Sequence, residues 1–310
     1  VDEGGVKKEF FMLLIRQLFD PNYGMFKYNE DKRIFWFNLY SFETTLKFEL
    51  IGILFGLAIF NDVIIDIKFP SIIYKKLLNI PCSLEDFNDI DSDIYNSLVF
   101  LKNTTDNNLE ESLGSSFEIE VENFGHRETV ELKQGGRDIL INQSNKDEYI
   151  ALYLDWYFNK SIKTFYDAFY KGFYRVSEDK IFKILDEKEL ELIICGTQEL
   201  DFNDLKKGCI VGDGYDEESE TVKLFWEIVL EFNHELKKKF LFFLTGCDRA
   251  PVKGLQSLKM IIGRYGPDSD KIPCAHTCFN FFLLPDYKDK DKLRTKLMIA
   301  VENSEGFGLQ

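Results

Sequence analysis

Residues 186–198, DEKELELIICGTQ, decide how the chain divides. Helical periodicity runs from Asp186 to Ile194 and breaks at Cys195-Gly196-Thr197-Gln198, so a hinge over 196–199 is expected there. Upstream the pattern is mostly helical. Downstream, helical stretches at Leu224–Phe232 and Glu235–Leu244 are followed by strand-like runs at Leu258–Ile262 and Phe279–Leu284, and a last helix is expected at about 290–303. The fold class is therefore read as α+β in two lobes, residues 1–195 and 200–310, and 310 residues exceed what one core usually organises.

Within the first lobe, residues 6–20 place Phe10, Phe11, Leu13, Leu14, Ile15 and Leu18 on a broad helical face ahead of a Pro-Asn-Tyr-Gly turn. Met25–Tyr28 and Arg33–Phe37 flank a polar tip and read as a hairpin. Leu50–Phe60, LIGILFGLAIF, is apolar nearly all round, as a helix buried on every side should be, and its Gly52-x-x-x-Gly56 spacing lets another helix approach closely. Pro70 opens a short second helix. From Cys82 to Asn145 the chain turns polar, acidic and asparagine-rich. A short helix near Ile94–Leu101 and β-like stretches at Phe117–Val121 and Thr129–Leu132 mark a smaller subdomain. Helical spacing resumes over Lys146–Phe173, and no internal repeat is visible.

Composition narrows the function. Fifty-three acidic against 38 basic residues, a formal charge of −15, argues against a nucleic-acid partner, which would call for a basic face. No apolar run reaches the about eighteen residues that a membrane-spanning helix needs, so no membrane role is expected. Six scattered cysteines lack the density of a disulfide scaffold and suit a reducing compartment, cytoplasmic first and nuclear second. An opening on Val1 without a leader-like segment reads as a piece of a longer protein.

Nothing in the sequence cradles a phosphate, since Gly212-x-Gly214 lacks the third glycine and Lys253-Gly254 lacks the spacing before it. Cys274, His276 and Cys278 offer three soft ligands where structural zinc needs four, so no metal is expected. Cys278 has two readings: a small buried hydrophobe, or a nucleophile held at the edge of the strand that follows it. His276 likewise either favours the thiolate or only hydrogen-bonds the loop.

Four segments in order, LTGCDRAP (244–251), IPCAHTCFN (272–280), LPDY (284–287) and ENSEGFG (302–308), resemble the signatures of the HECT-type ubiquitin ligases. Asp2-Glu3-Gly4-Gly5-Val6 and Leu192–Gly196 resemble the family too, the likeness covers the whole chain, and the subgroup it suggests is that of the Angelman-syndrome ligase. Cys247, Cys274 and Phe281-Phe282 depart from the pattern without removing a reacting group.

The resemblance implies a mainly helical N-lobe that recruits a ubiquitin-conjugating enzyme through the 82–145 subdomain, a hinge, and an α/β C-lobe that holds the nucleophile. Cys278 would be that nucleophile, with His276 and Thr277 supporting it and Phe307, fourth from the end, serving the ligation step. Contact with the conjugating enzyme falls on Ile94, Ser97, Leu98, Leu113, Tyr149 and Tyr153. Residues 94, 97 and 98 share one helical face, as do 149 and 153, so they could line an apolar groove or serve as core. The implied partners are the charged conjugating enzyme, ubiquitin and a protein substrate. No cofactor is implied, because thioester exchange is nearly balanced in energy and rests on positioning. Two rival readings stand beside this one. The first is a cysteine hydrolase pairing Cys278 with His126 or His234, and the second a non-catalytic scaffold for conjugating enzymes.

Phe307 generates a test at this level. Glycines on either side would let the ring dock only when the thioester is presented for attack. Phe307→Ala is expected to keep the ubiquitin adduct and lose isopeptide formation, read in single-turnover assays on preloaded protein. Equal loss of both steps would make Phe307 a packing residue.

Overall fold

A computed structural model of the chain describes residues 5–123, 125–176, 182 and 184–303. In chain order these form α1 (Gly5–Leu18), a hairpin of β1 (Phe26–Asn29) and β2 (Ile34–Phe37), α2 (Thr45–Phe60) and α3 (Ser71–Leu77). Next come α4 (Ser92–Asn103), α5 (Leu109–Leu113), a second hairpin of β3 (Glu118–Asn123) and β4 (His126–Glu131), α6 (Lys146–Asp155), a π-helical turn (Trp156–Lys160) and α7 (Lys163–Val176). The remainder holds α8 (Glu187–Cys195), α9 (Phe202–Lys207), β5 (Ile210–Val211), α10 (Glu220–Leu230) and α11 (His234–Thr245). It closes with β6 (Ile261–Arg264), β7 (Cys274–His276), β8 (Phe281–Leu284) and α12 (Lys290–Glu302). The described residues fall into two compact units, one drawn from 1–16, 58–66 and 191–310, the other from 17–57 and 67–190.

The second of these units is built on phenylalanine. Phe48, Phe55 and Phe169 are fully buried, and Phe26, Phe37 and Phe69 nearly so. Their rings pack stacked, as Phe37 on Phe69 at 6.2 Å, or edge-on, as Phe55 on Phe169 at 5.4 Å. The close helix approach anticipated at Gly52 is made with Gly172 of α7. A Cβ on Gly52 would lie 2.0 Å from the Phe169 carbonyl oxygen, and one on Gly172 1.9 Å from that of Glu49. The two backbones therefore touch, and Glu49 at the crossing is buried and pairs with Lys171 at 2.9 Å and Arg175 at 2.8 Å.

In the first unit a four-stranded sheet in the order β5-β6-β8-β7 is parallel except for β7, which runs antiparallel to β8. Helices α10, α11 and α12 enclose a core in which Phe225, Phe240, Leu244, Phe282, Leu284, Leu293 and Leu297 are fully buried. Asn233 caps α11 by accepting the Leu236 N–H, and Asp289 caps α12 by accepting that of Lys292. Gly246, at φ 76°, ends α11 in the left-handed region.

Several boundaries differ from the sequence reading, each for a local reason. The helix expected over 146–173 is two helices parted by the π turn, which the apolar periodicity runs through. The strand expected from Leu258 begins at Ile261, because Leu255–Leu258 is a 3-10 turn and Lys259 takes φ 49°. The strand expected from Phe279 begins at Phe281, because Thr277–Phe279 is a 3-10 turn and Asn280 takes φ 50°. At the expected hinge, Thr197 and Ala250 exchange two backbone hydrogen bonds of 2.8 Å, and Gly196 takes φ 71° where a Cβ would meet the Ala250 carbonyl at 2.5 Å.

The helix crossing predicts a large effect from one methyl group. Gly172→Ala should destabilise the chain by about 3 kcal/mol or more, since the clash is with backbone, whereas alanine at Gly135, where a Cβ meets nothing within 4 Å, should cost only the strain of its positive φ. Urea unfolding followed by circular dichroism measures both.

Candidate active site

The turn Thr277-Cys278-Phe279 joins β7 to β8, whose last pair is His276 with Phe281. Cys278 therefore sits at the tip of a hairpin and is half-buried. The tip is held from below. The Asn280 side chain donates to the Leu258 carbonyl at 2.7 Å, and the Ile261 N–H donates to the Asn280 carbonyl at 3.0 Å, tying the turn to the neighbouring strand. Beyond it Phe282 and Leu284 are fully buried, so the base of the hairpin is anchored in the core.

Around the sulfur, Thr277 is half-buried, and Phe279 is half exposed, an aromatic ring beside the thiol. His276 is exposed, and its ring stacks on Phe281 across the strand pair at 6.2 Å and 18° between planes. Of the two readings of this histidine, that contact favours holding the hairpin. Cys274 lies on β7 itself, where burial pushes its thiol up against the opposing pull of Lys271. Cys209 is pushed up to about 12, first by burial and then by Glu217. Neither environment favours a thiolate.

Beside the turn runs the loop after α11. A Cβ on Gly246 would lie 3.9 Å from the Thr277 Cβ and 2.9 Å from the Met12 sulfur, so only glycine lets these segments meet. The next residues, Cys247 and Asp248, gather with Asp66, their ligand atoms within 4.8 Å of one another. Asp66 keeps an exposed surface, yet the groups crowded near it, and then the charge of Asp248, push its carboxyl up to about 6, while Arg249 and Arg16 pull it down. Three ligands stop short of the four that a closed tetrahedral set needs.

The residues expected to meet a conjugating enzyme all lie in the helical unit. Asp91 caps α4 by accepting from the Asp93 and Ile94 N–H groups. Ile94 is half-buried, Ser97 is exposed and donates to the Asp93 carbonyl at 2.8 Å, and Leu98 is 4% exposed, a core position. On α6, Tyr149 and Tyr153 are half-buried with ring centroids 6.0 Å apart, Tyr149 edge-on to Phe117 and Tyr153 against Phe87, and burial raises both phenols. Leu113 ends α5, 39% exposed. Lys146 fastens α6 to the end of α4 by donating to the Lys102 and Thr104 carbonyls at 3.0 and 2.5 Å. Phe100, 68% exposed, stands three residues past Ser97 on α4 and was missed by the sequence reading, although helical spacing from Ser97 would have found it. Phe307 lies outside the described residues.

Comparisons with known proteins place the chain in a family. A family profile described as HECT-domain (ubiquitin-transferase) matches residues 12–310. The chain is 42% identical over 309 residues to the probable E3 ubiquitin-protein ligase HERC4 of Homo sapiens, covering all of this chain and 29% of that protein. It is 41% identical over 324 residues to the probable E3 ubiquitin-protein ligase HECTD2 of Pongo abelii, all of this chain and 42% of that protein. It is 34% identical over 325 residues to the probable E3 ubiquitin-protein ligase HUL4 of Eremothecium gossypii, all of this chain and 39% of that protein. The chain thus spans well under half the length of these relatives, and their names give no support to the Angelman-syndrome subgroup suggested by the motifs. With a profile match over nearly its full length and relatives above 40% identity, the chain belongs to the HECT-domain ubiquitin-transferase family.

Proposed function

We propose that this chain is the catalytic part of an E3 ubiquitin ligase in which Cys278 carries ubiquitin as a thioester. The observation that carries the reading is the placement of Cys278 on a hairpin tip braced by Asn280 and a buried strand, whereas Cys274 sits in the strand with its thiol held up by burial. The Cys278 sulfur attacks the thioester carbonyl of a charged conjugating enzyme, the bond to that enzyme's cysteine breaks, and its thiolate leaves. A substrate lysine, its ammonium proton given up to water or a nearby base, then attacks the new thioester; the C–S bond breaks as the isopeptide C–N bond forms, and the nitrogen's second proton passes to the departing Cys278 sulfur or to solvent. The first step exchanges one thioester for another and is nearly balanced, while the second turns a thioester into a more stable amide, so holding the sulfur at a fixed position matters more than a strongly acidic thiol. His276 braces the hairpin through Phe281, and Thr277 sets the turn against the Gly246 loop.

The lobes taken from the sequence are residues 1–195 and 200–310, with 196–199 as the pivot between delivery and transfer, a division that cuts across the compact units, which group 191–195 and 196–199 with the C-terminal residues. Gly196 in the left-handed region supports a pivot there, and the paired Thr197 and Ala250 backbones are the contact that such a motion has to respect. The conjugating enzyme docks on Ile94, Ser97, Leu113, Tyr149 and Tyr153, with Phe100 added at the exposed edge and Leu98 supporting from beneath. Within the family, the HERC and HECTD2 relatives support a place near them.

Cys278→Ala should abolish the reducible ubiquitin adduct, and Cys274→Ala should leave most of it, as read by non-reducing electrophoresis after incubation with charged conjugating enzyme. The reverse pattern would falsify the assignment. In the groove, Leu98→Ala should cost about 2–5 kcal/mol of stability as a core truncation, while Phe100→Ala should leave stability within about 0.5 kcal/mol and weaken the conjugating enzyme roughly tenfold. Thermal unfolding paired with calorimetric binding separates the two. Unchanged binding in Phe100→Ala sinks that residue's role.

A further inference from the structure

A cleft of about 610 Å3 opens in the helical unit among α3, the 79–82 loop, α6, the π turn and α7. Nothing in the ligase reading uses it. Its apolar side is made by Ile80, Pro81, Leu154 and Phe158, and its polar side by Lys76, Cys82 and Asn159.

The charges of this cleft are unevenly satisfied. Asp155 is paired with Lys160 at 3.0 Å and Asp167 with Lys163 at 2.7 Å, so both carboxylates are already committed. Lys76, half-buried, has no carboxylate within ion-pair distance among the described residues. It donates to Asn159 Oδ1 at 2.6 Å and lies 4.4 Å from the centre of the Tyr166 ring. An ammonium has three donors, and withdrawing it from water without a counter-ion is costly. Burial accordingly lowers the Lys76 pKa. A second polar group on this wall is also unsatisfied: the Tyr166 hydroxyl is buried with no hydrogen-bond partner among the described protein groups. The wall includes the π turn, which supplies Phe158 and Asn159, and π-helical turns recur at functional sites.

We propose that this cleft binds a small amphipathic carboxylate, its head on Lys76 and its apolar body against Ile80, Pro81 and Leu154. A monoanion is the charge that fits. The side chains of Lys76, Lys160 and Lys163 against Asp155 and Asp167 leave one net positive charge, in a chain of net −15, and two nearby carboxylates repel a phosphate dianion. The volume lies within the range of small-ligand sites. The cleft also shares α6 with Tyr149 and Tyr153, so an occupant would touch the helix that carries the conjugating-enzyme groove.

Decanoate below its micelle concentration is the probe, and Cys82, half-buried in the cleft, is the reporter. Alkylation of Cys82 is followed by peptide mass spectrometry across a decanoate titration. The expected result is saturable protection, at least fivefold slower alkylation when saturated. Lys76→Gln should raise the apparent Kd tenfold or more, and Lys76→Arg should keep it within about threefold. Three results would overturn the proposal: no protection at millimolar decanoate, equal protection by decanol or decylammonium, or an unchanged decanoate Kd in Lys76→Gln. Because ubiquitin transfer is not the readout, the outcome is independent of the ligase assignment.

Discussion

The hydrogen bond from the Asn280 carboxamide to the Leu258 carbonyl is the contact on which the candidate site depends. A hairpin tip is by default the most mobile part of a sheet, and a nucleophile placed there would wander. Asn280 takes φ 50°, a conformation that asparagine tolerates better than most residues, and so turns the chain back into β8. Its side chain fastens that turn to the segment before β6, and its carbonyl accepts from Ile261. Cys278 is thereby held on a braced turn while staying only half-buried.

A comparable constraint organises the helical unit. Where α2 and α7 cross, Gly52 and Gly172 let backbone meet backbone, and the aromatic rings around them fill the remaining space. That crossing fixes the direction of α7 and with it the π turn and α6, which carries Tyr149 and Tyr153 toward α4. Lys146, bound to two carbonyls at the end of α4, holds the other end of the same helix. The groove residues thus stand on helices whose positions are set by contacts between segments distant in sequence, such as Gly52 with the α7 backbone and Lys146 with the end of α4.

Much of this was legible in the chain itself. The buried helix at 50–60 is apolar on all sides, the break at 195–198 is a glycine after a helical run, and four short motifs in order point to the family. These features are local: side-chain spacing along a helix, backbone freedom at glycine, and the identity of reacting groups depend on neighbours within a few residues. The motif also favours Cys278 over Cys274 as the proposed nucleophile, since only one of them falls where the pattern places a thiol.

Which of those residues face inward, and what they touch, was set by the folded chain. Leu98 and Ser97 are adjacent on one helix, yet one is core and the other surface, because burial depends on the strands and helices packed over α4. His276 could have been a proton carrier by sequence; its ring lies on Phe281 because β7 and β8 pair in that register. The π turn at 156–160 is invisible to periodicity, since it inserts itself without breaking the apolar spacing, and the partner of Gly52 lies 120 residues away. Sequence determines chemistry and local geometry through short-range sterics, whereas burial, pairing register and helix contact are long-range properties that exist only once the chain has closed on itself.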